Sequence, residues 1–388
     1  MQNFVYANPT KVIFGSETTS QIGVEAVQYG RKALLVYGQG SIKRNSVYDS
    51  VVKSLRTAGV EWVEFGGVKA NPILSHTELG VTLAKENRVQ MIIAVGGGSV
   101  IDESKAIAAG CLVEHSVWNF YSGNATITGA LPLLTVLTMP ATGTEMNGGT
   151  VITNETTQEK FGLGNEHLYP KTSILDPLST YSIPRNQTAY GAVDAVCHLL
   201  ESYFTCEDSY TPIQDRYIEG IVRTIIEITE TNQKTPNCYR TRSTFMWAAT
   251  LAWNGIAPSG VGQWSTPNHL IGHSMSALYD TPHGASLSIT LSGWMPYFAV
   301  NRPERLAQLG KAVFDIDMPD LHESAVQTIT KMKAWFRRIG SPITLVDIGV
   351  DADGLVKIAE NCARCSPRWG LPEYDVPLVT SILQRCEA

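Results

Sequence analysis

The chain has 388 residues, 44% hydrophobic and 17% charged, and 30 Lys and Arg against 36 Asp and Glu leave a net charge of −6. At ~100–200 residues per domain that length suggests two or three domains, two being favoured, and the apolar share and low charge fraction exclude a disordered chain. No basic excess is present to neutralise nucleic acid or an anionic membrane surface, and apolar runs such as Ala130–Met139, broken by Pro and Thr, fall short of the ~18 residues of a membrane span.

The opening Met1-Gln-Asn-Phe lacks the basic and apolar regions of a signal peptide. Up to about residue 180, short apolar runs alternate with helix-like stretches. Ala33–Tyr37, Val60–Phe65, Met91–Val95, Leu133–Leu137 and Ser173–Leu175 predict strands, several nearly continuous in hydrophobicity, as parallel strands covered on both faces are. Tyr48–Ala58 and Ser75–Asn87 predict helices between them, hence a parallel, doubly wound α/β sheet. Beyond about residue 184 the strand signal fades. Ile218, Ile221, Val222 and Ile225 share one helix face, as do Ala325, Ile329, Met332 and Phe336, with Gly340 and Pro342 as the stop. The aromatics of Arg242–Trp253 and Val326–Ile339 read as core, and the polar Thr229–Ser243 as an inter-helix loop. The expected class is therefore α/β plus all-α, with an α/β domain at 1–180 and an all-helical domain at 181–388. Cys362 and Cys365 read as ordinary thiols on one helical turn, and seven cysteines, an odd number, fit a reduced, cytoplasmic protein.

Met91-Ile-Ile-Ala-Val-Gly-Gly-Gly-Ser-Val-Ile-Asp102 is a strand, three glycines, a serine and a helix with Asp102 in its first turn. Without Cβ atoms, Gly96–Gly98 let backbone N–H groups approach an anion, and the helix dipole adds to them. Phosphate or pyrophosphate is the natural occupant and a plain strand–helix turn the alternative, since the motif is short and is not the usual G-x-G-x-x-G fingerprint. A second loop, Thr138-Met-Pro-Ala-Thr-Gly-Thr-Glu-Met-Asn147, also follows a strand and is compatible with a ligand-closing loop or a capped helix start. Two such loops point to the carboxyl edge of the sheet, where open α/β sheets bind ligands.

Asp194 and His198 lie at i and i+4 on one helix face. His269 and His273 repeat that spacing, and Asp280-Thr-Pro-His283-Gly follows. Four of the eight histidines thus fall between residues 198 and 283. Imidazoles and a carboxylate without thiolate suit a divalent ion such as Zn²⁺ or Fe²⁺, with a coordination position left for substrate.

Together these motifs make the chain resemble the iron-containing (group III) metal-dependent alcohol dehydrogenases over nearly its whole length. Asn8-Pro-Thr-Lys-Val-Ile-Phe-Gly15 is similar to the family's amino-terminal signature, Gly96–Ser99 with Asp102 to its pyrophosphate loop, and the Asp194, His198, His269 and His283 segments to its ligand motifs. Pro140–Asn147 and Met246-Trp-Ala-Ala-Thr250 resemble the butanol dehydrogenase or aldehyde reductase branch. The resemblance implies an amino-terminal dinucleotide-binding domain, a carboxy-terminal helical domain, and an active site between them. It implies one divalent metal, Fe²⁺ or Zn²⁺, on Asp194, His198, His269 and His283, with His273 beside the nicotinamide as the candidate proton relay. It also implies a cofactor site lined by Gly97, Gly98, Ser99, Asp102, Thr138, Thr142, Thr144, Asn147 and Lys160, with Asp102 counted among the catalytic residues too. The expected substrates are short-chain alcohols or aldehydes, and the expected assembly is a homodimer.

NAD-selective members of the family carry an Asp just after the first strand. Here Tyr37 is followed by Gly38-Gln-Gly-Ser-Ile-Lys-Arg44, in which Gly38 and Gly40 leave room and Ser41, Lys43 and Arg44 suit a 2′-phosphate. NADP(H) is therefore expected over NAD(H). The competing reaction class is that of dehydroquinate synthase, a lyase of similar fold that holds a metal and NAD. Such a lyase needs clustered Lys and Arg around its substrate, whereas Trp253, Trp264, Ile271 and Leu278 make the ligand neighbourhood apolar.

Overall fold

Among the described residues, eight strands form where short apolar or alternating runs are closed by glycine and polar turns. They are β1 (Lys11–Phe14), β2 (Lys32–Tyr37), β3 (Glu61–Phe65), β4 (Met91–Gly97), β5 (Leu133–Met139), β6 (Gly149–Asn154), β7 (Glu159–Gly164) and β8 (Thr172–Leu175). The computed structural model describes residues 1–208 and 210–386. Six strands make one sheet in the order β1-β8-β5-β4-β2-β3, parallel at every pairing. Met91–Val95 of β4 are wholly buried, which explains the unbroken hydrophobic run. Helices Val47–Thr57, Leu74–Glu86 and Gly98–Gly110 fall in the crossovers, the first with Val51 and Leu55 in the core cluster under β2 and β4. The five expected strands and two expected helices form within a few residues of their predicted limits. Two features lie beyond that reading: the short edge strand β1, exposed at both ends, and the antiparallel β6–β7 hairpin.

The connection leaving β2 runs outward to β3, and the chain then returns to β4 on the other side of β2. The topological switch therefore lies between β2 and β4, where Tyr37 pairs with Val95. Ligands of open α/β sheets bind outside the carboxyl ends of the strands at such a point. Both the Gly38–Lys43 turn and the Gly96–Ser99 loop leave the sheet there.

From Pro184 onward the chain is helical: Arg185–Thr205, Pro212–Lys234, Tyr239–Ala252, Pro267–Tyr279, His283–Ala299, Pro303–Phe314, Leu321–Ile339, Ala352–Cys365 and Val376–Gln384. Leu321–Ile339 buries Ala325, Ile329, Met332, Trp335 and Phe336 and ends on Gly340 at φ +78°, the left-handed stop that its glycine supplies. Thr229–Ser243 is not a loop. Helix continues to Lys234 and resumes at Tyr239, because Thr229 and Asn232 extend the buried face of Ile218, Val222 and Ile225, and the Thr229 hydroxyl donates to the Ile225 carbonyl at 2.6 Å. Among the described residues no helix is long and apolar enough to cross a membrane.

The molecule divides into two compact units, one of Ala7–Ile183 with Pro236–Thr250, the other of Met1–Tyr6, Pro184–Thr235 and Leu251 onward. The sheet and its helices belong to the first. Each unit is assembled from more than one stretch of chain, so the change of texture near residue 180 is one of several crossings.

Candidate metal centre and dinucleotide site

In the helical unit, Asp194, His198 and Glu201 lie on successive turns of Arg185–Thr205, all buried. His269 and His273 come from Pro267–Tyr279, whose end at Asp280 (φ +49°) turns the chain through Thr281 and Pro282 into the helix that begins with His283. Gly284 makes that approach feasible: a Cβ there would lie 2.1 Å from the Tyr190 carbonyl oxygen and 2.7 Å from its Cα. The close packing sets His283 against the turn that precedes Asp194.

Asp194 Oδ1 is the convergence point. It lies 3.3 Å from His198 Nδ1, 3.8 Å from His269 Nε2 and 3.6 Å from His283 Nε2. Among the described residues, Asp194 Oδ1, His198 Nδ1 and His269 Nε2 are buried without a hydrogen-bond partner. Asp194, His198 and His269 offer ligand atoms all within 4.8 Å of one another, a group able to hold a metal ion. Bonds of ~2.1 Å at tetrahedral angles put ligand atoms ~3.4 Å apart, so the spacing fits a divalent ion. The unpartnered atoms fit it too, since burying such groups without compensation is costly.

Glu201 has no counterpart in the motif reading. It accepts from the His269 backbone N–H at 2.9 Å and pairs with Nδ1 of the same ring. A carboxylate behind a ligating histidine fixes its tautomer and strengthens it as a donor. Its place on the ligand-bearing helix was visible in the sequence, seven residues after Asp194 and three after His198, but its partner His269, 68 residues on, was not. Electrostatics separate the two rings. Burial draws His198 down to about 4, with Asp194 opposing. Burial also pulls on His269, but Glu201 and Asp194 outweigh it and hold the ring up at about 9.

Aromatic walls surround the group. Trp253 packs on His198 at 4.7 Å between ring centroids and Trp264 edges onto Trp253 at 5.4 Å. His273 is buried, edge-on to Trp369 at 4.8 Å and 5.2 Å from the His283 ring. Trp369, far along the chain, carried no local signal. Cys362 and Cys365 are buried on Ala352–Cys365, and none of the seven cysteines is disulfide-bonded.

In the α/β unit, Gly96 and Gly97 end β4 with a register shift against β5. A Cβ at Gly98 would lie 2.5 Å from Thr142 Oγ1 and 2.7 Å from its Cγ2, so the loops after β4 and β5 close on each other only because residue 98 is glycine. Ser99 donates its hydroxyl to the Ala70 carbonyl, and Lys160 donates to Asn71 Oδ1 at 2.9 Å. Thr138 is buried at the end of β5, and Thr142 Oγ1 accepts from the Thr144 N–H at 3.4 Å. Asp102 is buried with both carboxylate oxygens engaged, accepting from Thr144 Oγ1 at 2.6 Å and the Val151 N–H at 3.1 Å. Thr144 and Asn147 are likewise buried, Thr144 bonded to Asp102 and Asn147 to the Gly143 carbonyl and the Gly149 N–H. Burial raises the Asp102 carboxyl and lowers the Lys105 ammonium beside it, each partly offsetting the other. Glu145 and Thr250, from the two segments resembling the butanol dehydrogenase branch, meet through a hydrogen bond from the Thr250 hydroxyl. Glycine backbone at the switch point with hydroxyls closing over it is the cradle a pyrophosphate requires.

The turn after β2 holds a carboxylate that its own sequence lacks. Gly40 sits at φ +87° with open space where a Cβ would be, and Ser41–Arg44 form one short helical turn. Glu64 of β3 accepts from Lys43 at 2.9 Å, from the Tyr37 hydroxyl at 2.8 Å and from the Tyr48 hydroxyl. Lys43 Nζ lies 4.7 Å from the centroid of each tyrosine ring. Partial burial alone would raise Glu64, but Tyr48, Lys43 and Tyr37 draw it down to about 2.

Comparison with known proteins places these features in a family. The profile of iron-containing alcohol dehydrogenases matches residues 9–177, and that of the family's C-terminal region matches residues 188–377. A probable NADH-dependent butanol dehydrogenase of Bacillus subtilis (strain 168) is 42% identical over 363 residues, 93% of each chain. An NADPH-dependent aldehyde reductase of Escherichia coli (strain K12) is 35% identical, covering 92% of this chain and 91% of its own. The crystal structure of NADH-dependent butanol dehydrogenase A from Thermotoga maritima superposes with a TM-score of 0.96 at 41% identity, covering 100% of this chain and 99% of that one. With both profiles matched in sequence order and the buried Asp–His group in the second, the chain belongs to the iron-containing alcohol dehydrogenase family.

Proposed function

We propose that the protein interconverts short-chain alcohols and aldehydes of the butanol and butanal type, with NADP(H) as preferred cofactor and one divalent ion, Fe²⁺ or Zn²⁺. As a family member it is an alcohol dehydrogenase, an oxidoreductase. The observation that carries the reading is the buried Asp194, His198 and His269 group against Trp253 and Trp264, in which Asp194 Oδ1, His198 Nδ1 and His269 Nε2 have no hydrogen-bond partner. Asp194, His198, His269 and His283 would hold the ion, with Glu201 orienting His269. When bound, the ion supplies Lewis-acid polarisation of a substrate oxygen, and the nicotinamide supplies the hydride chemistry. The apolar wall excludes water and favours a small neutral substrate. It offers nothing to the carboxylated, phosphorylated substrate of a dehydroquinate synthase-like lyase. His273, wedged between Trp369 and His283, is the proposed carrier of the hydroxyl proton. H273A with full activity across pH would remove it from that role.

The Gly97–Ser99 and Thr138–Asn147 loops, with Lys160, are the proposed dinucleotide site. Asp102 supports them from beneath, through Thr144 and Val151. The preference for NADP(H) is supported by a turn from Gly38 to Ser41 without a carboxylate and by Lys43 beside it. A specific observation favours NAD(H) as the second reading: Glu64 already engages Lys43. The B. subtilis relative, moreover, is named for NADH. A cytoplasmic homodimer is proposed with this function, the unlinked cysteines fitting a reducing compartment.

The deciding experiment is metal analysis of the purified protein together with butanal reduction by NADPH and NADH. Stoichiometric divalent metal, turnover, and at least ten-fold higher kcat/KM with NADPH are expected, and K43A should erase that ratio. Equal efficiencies would undo the NADP(H) preference, higher efficiency with NADH would establish the NAD(H) reading, and no turnover with either would overturn the proposed substrate.

A further inference from the structure

Lys105 is the most completely enclosed cation of the α/β unit, and it lies outside the residues assigned to the dinucleotide site. It lies on the Gly98–Gly110 helix with no exposed surface. Its Nζ meets five oxygens, all from residues 144–149: the Thr144 carbonyl at 2.7 Å, Thr144 Oγ1 at 2.7 Å, the Asn147 carbonyl at 2.8 Å, Asn147 Oδ1 at 3.3 Å and the Gly149 carbonyl at 2.6 Å. An ammonium has three N–H donors, so five oxygens at these distances are held as much by charge as by directed hydrogen bonds. Three carbonyl dipoles from one six-residue segment converge on a single point, an arrangement that repels itself without a cation at its centre.

The segment so gathered is the loop between β5 and β6. Thr144–Met146 form a single 3-10 turn, Asn147 donates back to the Gly143 carbonyl at 2.9 Å, and Gly149 opens β6. Asp102, one turn before Lys105 on the same helix, takes Thr144 Oγ1 and the Val151 N–H. The helix that begins at the glycine loop therefore grips the facing loop by two side chains.

We propose that Lys105 is a positioning residue of the dinucleotide site, its ammonium acting as a tethered monovalent cation that shapes the Thr142–Gly149 loop. The proposal rests on the assignment of the Gly97–Ser99 and Thr138–Asn147 loops to the dinucleotide. Removing the charge leaves the five oxygens without their common partner, and the loop relaxes away from the geometry in which it faces Gly98.

The test measures dinucleotide binding without turnover, by NADPH and NADH fluorescence on K105A, K105M and K105Q, with melting temperature and metal content in parallel. K105A and K105M should bind at least ten-fold more weakly while retaining the metal of the helical unit. Millimolar ammonium or propylammonium should restore several-fold of K105A binding, and neither should alter the wild type. K105Q, which keeps two N–H donors in milder form, should lie between and serves if K105A does not fold. Wild-type affinity in folded K105M or K105Q would overturn the proposal. So would a loss in K105A that neither amine reduces. G98V separates the two levels: if it binds dinucleotide as the wild type does, the site assignment itself fails. If G98V loses binding and K105M keeps it, the role of Lys105 alone is refuted.

Discussion

Glu201 shows how one residue sets the character of the metal group without belonging to it. Its carboxylate holds both the backbone and Nδ1 of His269, leaving Nε2 for an ion. E201Q should lower metal affinity by about 10- to 100-fold, the usual cost of removing such a partner. Titration with Zn²⁺ or Fe²⁺ against a chelating indicator checks this. Unchanged affinity would mean that packing alone orients the ring. Glu64 plays the comparable part for Lys43, and it qualifies the reading of the β2 turn. That turn lacks a carboxylate in sequence, yet the neighbouring strand places one there, because β2 and β3 pair Leu35 with Glu64. Periodicity identified Glu64 as a strand residue, but what it touches depended on the pairing.

Helix ends and crossings decide whether such residues meet. His283 reaches Asp194 because Gly284 lets one helix begin against the backbone of another. G284A would drive a Cβ into the Tyr190 carbonyl. Backbone cannot step aside as a side chain does, so G284A should cost about 2–3 kcal/mol, in the upper range for overpacking, and weaken the metal site with it. Urea unfolding and metal titration of the same variant would show both losses. The crossover helices Leu74–Glu86 and Gly98–Gly110 are joined by the His76–Glu103 pair. Burial raises Glu103 from its ordinary 4.5 to about 6, against the opposing pull of His76. Between those values the folded state binds a proton that the unfolded state has released. This contribution to stability is therefore fully present below about pH 4.5 and lost as pH rises to 6, at most roughly 2 kcal/mol. E103Q should lack that slope when unfolding is followed from pH 4.5 to 6.5, and parallel curves for the two proteins would disprove the assignment. Pro212–Lys234 likewise has a buried face that includes polar residues. Thr229 and Asn232 read as loop because they are polar, but the helix continues through them by burying them against its neighbours.

For the molecule as a whole, a metal that binds only the folded state must stabilise it. Added Zn²⁺ or Fe²⁺ at one hundred times its dissociation constant should contribute about 2.7 kcal/mol, seen as a rise in melting temperature that chelator reverses. D194A should show no such rise. A shift persisting in D194A would place the stabilising ion elsewhere. The architecture was largely legible in the chain. Continuous apolar runs declared buried parallel strands, i,i+3,i+4 spacing declared amphipathic helices, and glycines and histidines at chemical spacings marked two candidate sites. These signals are local, and local sequence periodicity is what sets backbone conformation and the face to be buried. The β6–β7 hairpin pairs neighbouring segments but was not legible, because their glycines and polar residues leave little apolar alternation. The edge strand β1 and the interleaving of the two compact units were not legible either, because each depends on partners distant in sequence. The same holds for Glu201 behind His269, Glu64 against Lys43 and Lys105 at the centre of five oxygens. Glu201 and Lys105 carry charge into buried places where a charge survives only if paired, and in all three cases only the folded chain determines the pairing.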